Sequence, residues 1–323
     1  MPQKKARAGN NAGGAAAQGG FNYQSRVAAW IGVLILAEQD AAALWGLASN
    51  TTLDFMRCET EEPLDDLLVG NSREGHAFVQ VKTHLKSSTK PDSALAKVAK
   101  QIVHQFLAYA SDNRGKQRWE RPLILDSDRL VLVIQSDGPD STTKHLPTVL
   151  NRVHQSSVSS ITEIARNTPE RDALTKVIYQ LQQTWIETLG TEPSSDQLLQ
   201  ILRFLWIQIL DINEGGRDER EAKNLLRSNV LEDPTDADKA WATLVMACAE
   251  YASHRTGADR VTLQSLLTSK GIQLRAPRSY RADIERLRQN SVVSPDTGRR
   301  PGRHAVVVVT KGEPGYATTV CIR

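Results

Sequence analysis

Two short β-forming runs around a polar turn constrain this chain more than any other feature. Asp66-Leu-Leu-Val69 leads into Gly70, Asn71 to Gly75 make the turn, and Ala77 to Lys82 follow, with apolar and polar residues alternating from Phe78 on. Alternation of this kind predicts a half-buried strand, and the pair of runs a hairpin. A period of two sets Gln80 and Lys82 on one face, Val79 and Val81 on the other. A lysine that shares a strand face with a glutamine, beside a buried apolar ridge, is expected where that face opens onto a cleft.

The chemistry such a group can perform is specific. The Asp66 carboxylate, the side-chain oxygen of Gln80 and the backbone carbonyl of Val81 make an oxygen donor set suited to Mg²⁺, with Mn²⁺ as a substitute. Lys82 would then orient an attacking water and offset charge on a phosphate. The acidic run Glu59, Glu61, Glu62, Asp65 and Asp66 leaves the carboxylate ligand open. Asp66 is preferred because it enters the apolar strand directly; Asp65 is the fallback, and Glu59 a further metal candidate.

The flanking segments predict a layered core. Val27, Trp30, Ile31, Leu34 and Ile35 recur at helical spacing, so a helix is expected from Phe21 to about Glu38, continuing or restarting over Asp40 to Leu47. Thr51 to Cys58 is expected to be a strand. Ala94 to Ala110 predicts an amphipathic helix with Leu95, Val98, Ile102, Phe106 and Leu107 inward, leaving Lys97, Lys100, Gln101 and His104 on its remaining surface. Lys97 and Lys100 are candidates for contact with a DNA backbone. Arg129 to Gln135 is a continuous apolar run of strand length, suited to a strand buried on both faces. His76 and His84 are expected to be surface histidines beside the turn.

Asp66, then Gln80-x-Lys82 on the following strand, resembles the active site of the PD-(D/E)xK nuclease superfamily in its Gln-x-Lys variant. Asp66 falls on the aspartate of that motif, Gln80 on its acidic position and Lys82 on its lysine. Gly19-Gly-Phe-Asn-Tyr-Gln24, the apolar helix after it, Glu59, the Asp65-Asp66 pair and Val79-Gln-Val-Lys-Thr83 look like one branch of it. That branch comprises double-stranded DNA endonuclease domains acting as effectors in bacterial antiphage systems, beside cyclic-oligonucleotide sensors or at the N-terminus of antiviral NTPases. The resemblance covers roughly residues 18 to 140. It implies a restriction-endonuclease-like α/β core, a mixed sheet flanked by helices. It also implies a Gln24 that approaches the metal site and a Gln101 beside the metal cleft. The departure from the commoner pattern is Gln80, a neutral residue where an acid is usual.

A chain of 323 residues is long enough for more than one domain. With 40% hydrophobic and 24% charged residues and a net charge of +3, it has the composition of a soluble globular protein. Contact with DNA must therefore come from local patches. Cys58, Cys248 and Cys321 lack zinc-site spacing and an even count, which suits reduced thiols in a cytoplasmic protein. No apolar run reaches the length of a membrane span, and no phosphate-binding Gly-x-x-x-x-Gly-Lys-Ser/Thr loop is present.

Beyond Ser136 the sequence turns mainly helical. Arg171 to Leu189, Gln197 to Leu210, Asp218 to Val230 and Asp236 to His254 are the clearest amphipathic segments, with Trp185, Trp206 and Trp241 on apolar faces. At the end, Val261 to Lys270 and Pro277 to Asn290 predict two helices, and Val306 to Thr310 with Thr318 to Ile322 a hairpin. That order outlines a winged helix. Arg278, Arg281, Arg286 and Arg288 lie in the second helix, Arg278 and Arg281 being candidate DNA contacts. The expected division is a flexible arm (1–19), a nuclease domain (20–142), a helical domain (143–256) and a helix-helix-hairpin module (257–323). The strand-like ending suggests the N-terminal part of a longer sensor protein.

The leading expectation is a Mg²⁺-dependent endonuclease acting on double-stranded DNA in phage defence. It would be a homo-oligomer, or be governed by a sensor or NTPase partner, with no membrane association. The alternatives are a nuclease-like oligomerisation module without catalysis and a winged-helix DNA-binding regulator.

Overall fold

The structure, a computed structural model, describes residues 12–110, 115, 117–155 and 160–276. The chain opens with a long helix, α1 (Ala12–Leu36), and a single helical turn, α2 (Ala42–Trp45). Strands β1 (Leu53–Cys58), β2 (Leu67–Asn71) and β3 (His76–Lys82) follow as a meander. Helix α3 (Ala94–Ala108) then leads to β4 (Arg129–Gln135). Three helices come next: α4 (Leu146–Gln155), α5 (Thr168–Leu189) and α6 (Ser195–Phe204). Strand β5 (Leu205–Leu210), helices α7 (Arg217–Leu225) and α8 (Ala237–His254), a short β6 (Gly257–Asp259) and α9 (Arg260–Ser269) complete the described chain.

All six strands form one mixed sheet in the order β5-β4-β3-β2-β1-β6. Strands β3, β4 and β5 run parallel, and β3, β2, β1 and β6 pair antiparallel. Each face carries its own core. On one, Leu53, Met56, Leu67, Val69, Val79, Val81, Val131 and Val133 pack beneath α1, which is backed by α7, α8 and α9. On the other, Leu68, Phe78, Leu130, Leu132 and Ile134 meet α3, and α4, α5 and α6 extend that layer. Each fully buried Val, Leu or Phe in these layers stabilises the fold by roughly 1.5–3 kcal/mol. Strand β4 is buried on both faces, as its uninterrupted apolar sequence requires.

Several sequence expectations are corrected. Helix α1 begins at Ala12, within the stretch expected to be a flexible arm; the Ala15-Ala-Ala17 run has the highest helix propensity of any residue type and outweighs the neighbouring glycines. Residues 205–210, expected to end an amphipathic helix, form β5 instead. Leu205-Trp-Ile-Gln-Ile-Leu is rich in strand-favouring side chains, and pairing with β4 decides its conformation. Because β5 and β6 both come from beyond residue 142, the boundary expected there cuts through one sheet. Trp185 and Trp241 are buried, but Trp206 is only partly so and stacks on His154. The helix and hairpin expected over 277–290 and 306–322 lie outside the described residues. So do Arg278, Arg281, Arg286, Arg288 and Cys321. Cys58 and Cys248 are free, buried thiols, and burial pushes the Cys58 thiol up to about 12.

Candidate functional site

Strand register builds the site. Cys58 pairs with Leu67, and Leu67 with Val79. One step further along the same ladders, Glu59, Asp66 and Gln80 fall in a single row across β1, β2 and β3. The Glu59 N–H donates to the Asp66 carbonyl at 3.0 Å, and the Thr60 N–H to the Asp65 carbonyl at 2.8 Å, so the pairing continues past the strand ends. Because Asp66 lies two residues before Leu68 and Gln80 two after Phe78, both share the α3 face of the sheet.

The Asp66 carboxylate is held from the strand beside it. Its Oδ2 accepts from the Val81 N–H at 2.6 Å and from Gln80 Nε2. Burial raises the Asp66 carboxyl to about 6; Lys82 and the Val81 N–H oppose that shift, while Asp65 and Glu59 add to it. Lys82, two residues after Gln80 on β3, lies on the same face of its strand as Gln80. Gln80 is buried, and its Oε1 has no hydrogen-bond partner among the described residues. A buried amide oxygen without a donor is costly, and it sits beside a carboxylate whose burial disfavours its own charge.

Other residues take positions around this pair. Asp65 Oδ1 accepts from Gln101 Nε2 of α3 at 3.2 Å, which draws it off the Asp66–Gln80 row. Glu59 has a left-handed backbone (φ 49°), and its Oε1 accepts from Gln24 Nε2 of α1 at 2.6 Å. The structure thus joins Gln24 to Glu59, and no hydrogen bond links Gln24 to Asp66. Tyr23, the residue before it, is buried, and its hydroxyl donates to the Leu210 carbonyl at 3.2 Å, fixing this turn of α1 against the end of β5.

Lys82 lines a cleft of about 620 Å³ with Pro63, Ala94, Lys97, Lys100, Gln101 and His104. Lys97, Lys100, Gln101 and His104 share one face of α3 through their three- and four-residue spacing. Lys97 and Lys100 are exposed, and Lys82 is partly buried. Cations therefore border the carboxylates on the α3 side. Among the described residues Lys82 forms no ion pair.

The residues can be tested for a divalent cation directly. Among the described residues, no group of three or more His, Cys, Asp or Glu side chains is placed to hold a metal. A hard cation needs oxygens rather than that set, and Mg²⁺ commonly takes one or two carboxylates and keeps several waters. Asp66 and the partnerless Gln80 Oε1 supply one charged and one neutral donor in adjacent positions. Both are oxygens of the type Mg²⁺ takes, although Gln80 turns its Nε2 rather than Oε1 toward Asp66, and Glu59, bonded to Gln24, is a further carboxylate in the row.

His76 and Glu62 behave otherwise than the sequence implied, whereas His84 lies at the surface as expected. His76 is buried at the start of β3, roughly 20 Å along the strand from Lys82, with burial lowering it to about 4. His84 is exposed, 3.7 Å from Asp137. Glu62, merely one member of an acidic run in sequence, is a structural hub. It accepts from Tyr109 Oη (2.8 Å), Gln105 Nε2 (3.1 Å) and Trp119 Nε1 (2.8 Å). Gln105 Oε1 accepts in turn from the Leu64 N–H at 3.0 Å. These bonds fasten the loop carrying Glu59, Asp65 and Asp66 to α3. The partners lie more than forty positions away, so no local pattern could have identified them.

No helix among the described residues is long and apolar enough to cross a membrane. No protein-family model and no curated protein matches the chain. Among solved structures, it is similar to the Acinetobacter baumannii Cap4 SAVED/CARF-domain containing receptor, determined with the cyclic trinucleotide 3'3'3'-cAAA. That match has a TM-score of 0.44 and 9% sequence identity, over 77% of this chain and 44% of the receptor chain. The chain thus spans less than half the length of that neighbour.

Proposed function

We propose that this chain is a Mg²⁺-dependent endonuclease that hydrolyses phosphodiester bonds of double-stranded DNA, on a core of the PD-(D/E)xK kind. The observation that carries this reading is the contact of Asp66 with Gln80 across adjacent strands, two residues from a Lys82 that lines the neighbouring cleft, with a buried amide oxygen left without a partner among the described residues. Asp66 and Gln80 would hold the ion, with Glu59 as a further candidate ligand. A bound divalent cation supplies charge neutralisation at the phosphate and a more acidic water.

The chain's own residues account for the rest. Asp66, raised to about 6, is mainly ionised at neutral pH. The Lys82 ammonium faces the cleft, where it orients the water and offsets charge that develops on the phosphorane oxygens. Water's oxygen bonds to phosphorus as the ester oxygen leaves, and the two protons reach solvent and that leaving oxygen. Lys97 and Lys100 are positioned to meet flanking phosphates. Gln24 acts at one remove by holding Glu59.

Plasmid nicking in Mg²⁺ or Mn²⁺ tests the reading. Wild-type protein is expected to cleave and Lys82→Ala to lose cleavage; equal cleavage by the two would remove Lys82 from the mechanism. One observation favours a second reading, a nuclease-like module without catalysis: Gln80 Nε2 already satisfies Asp66 as a neutral donor. Absence of nicking with either ion would support that alternative. Service as an antiphage effector, with two copies paired for double-strand cuts or a sensor partner, rests on the sequence resemblance alone.

A further inference from the structure

We infer that Arg57, seated on the ring of Trp119, is a second phosphate-binding position for duplex DNA, on the side of Asp66 away from the α3 lysines. The inference rests on the nuclease reading and extends it to how a substrate would lie across the sheet.

Register places Arg57. It pairs with Leu68, which pairs with Phe78, so its side chain leaves the sheet on the same face as Asp66 and Gln80. Asp66 is its diagonal neighbour, and such positions lie roughly 7–8 Å apart. Strand order sets the sides: β2 carries Asp66, β3 carries Gln80 and Lys82 to one side, and β1 carries Arg57 to the other. Lys97 and Lys100 share the Lys82 cleft, so cations flank the carboxylate on both sides.

Arg57 is exposed and forms no ion pair among the described residues. Its guanidinium lies 5.5 Å from the centroid of Trp119. The Trp119 ring is itself fixed, by its bond to Glu62 and by an edge contact with His76 at 6.3 Å. An arginine stacked in this way keeps its fork of N–H donors free and loses little conformational freedom on meeting a phosphate. A surface arginine that served only solubility would need no such seat. Glu62 joins this seat to the loop carrying Asp66, so the two are held in one frame.

Duplex affinity measured by fluorescence anisotropy in EDTA, over a series of salt concentrations, tests the inference without interference from cleavage. Arg57→Glu is expected to weaken binding roughly tenfold at low salt and to reduce the salt slope by about one. Arg57→Gln should lose the same increment of slope with a smaller loss of affinity, and Arg57→Lys should retain most of both. Thermal midpoints like that of wild type would certify folding, and Arg57→Gln decides the matter if the charge reversal does not fold. Unchanged affinity and slope in Arg57→Gln would overturn the inference, as would a wild-type protein without duplex affinity. Nicking in Mg²⁺ is read separately. An Arg57-dependent affinity without nicking would leave this surface standing and remove the hydrolase.

Discussion

The two halves of the sheet have opposite relations to water. Strand β4 and the inner face of β5 are sealed, with Leu130, Leu132 and Ile134 against α3 and its neighbours, and Val131 and Val133 against the α1 layer. Where β1, β2 and β3 meet the loops at this end, the same α3 face instead carries Asp66, Gln80 and Lys82, while Glu59 reaches Gln24 of α1. The sealed half contributes stability and nothing chemical. In the open half, polar groups are retained although they are only partly satisfied: Gln80 Oε1 has no partner among the described residues, and burial raises Asp66. Such departures from good packing are expected where a site is built, at a cost carried by the rest of the core.

That contrast predicts opposite outcomes for substitutions only a few ångströms apart. The largest effect is expected for Lys82→Ala: nicking should fall on the order of 10²–10³-fold, the scale of losing a charge-stabilising group, while the thermal midpoint barely moves. Leu132→Ala, in the sealed half, should do the reverse. Urea denaturation should show a loss of about 2–5 kcal/mol, and the intrinsic rate of the molecules still folded should be unaffected. If Lys82→Ala proved as destabilising as Leu132→Ala, the two halves would not differ in kind.

Asp66→Asn sharpens the comparison further. Folding raises this carboxyl above the value near 4 of an unfolded chain, so the native state binds its proton more tightly. The stability contributed by Asp66 is therefore full below pH ~4 and is lost as pH rises through about 6. Asn should gain on the order of 2 kcal/mol at pH 7 and little at pH 4, while cleavage disappears; equal gains at both pH values would contradict the cause assigned. In the wild type, a proton on Asp66 competes with a cation, so nicking should decline along an acid limb centred near pH 6. The smallest effect is expected for Lys97→Gln. It should lower the salt slope of duplex binding by about one and leave the rate at saturating DNA close to wild type.

The antiparallel hairpin, helix α3 and strand β4 were legible because each follows one dominant period over enough residues. For Arg129–Gln135 the expected and observed bounds coincide. Alternation set Gln80 and Lys82 on one face of β3, whereas the register that brings Asp66 beside Gln80 is read only from the ladder between β2 and β3. What sequence missed is set by distant contacts. The apolar spacing through Leu198, Leu199, Ile201 and Leu202 runs on without a break into Leu205, and only the ladder to β4 turns residues 205–210 into a strand. Strand β6, with three residues, is too short to carry a period. The bond from Gln24 to Glu59 spans thirty-five positions, and the Glu62 hub still more. His76 was misplaced because the turn before it is exposed, whereas the ring itself turns inward against Phe55 and Trp119.

The pairing of β5 with β4 has a practical consequence for anyone dividing this protein. A fragment stopped at residue 142 would strip β4 of its neighbour and bare a row of main-chain donors and acceptors flanked by apolar side chains. Such a piece would recruit any extended peptide at hand, its own copies first, and precipitate before its chemistry could be assayed. The catalytic question must therefore be put to a chain that reaches at least through Leu210.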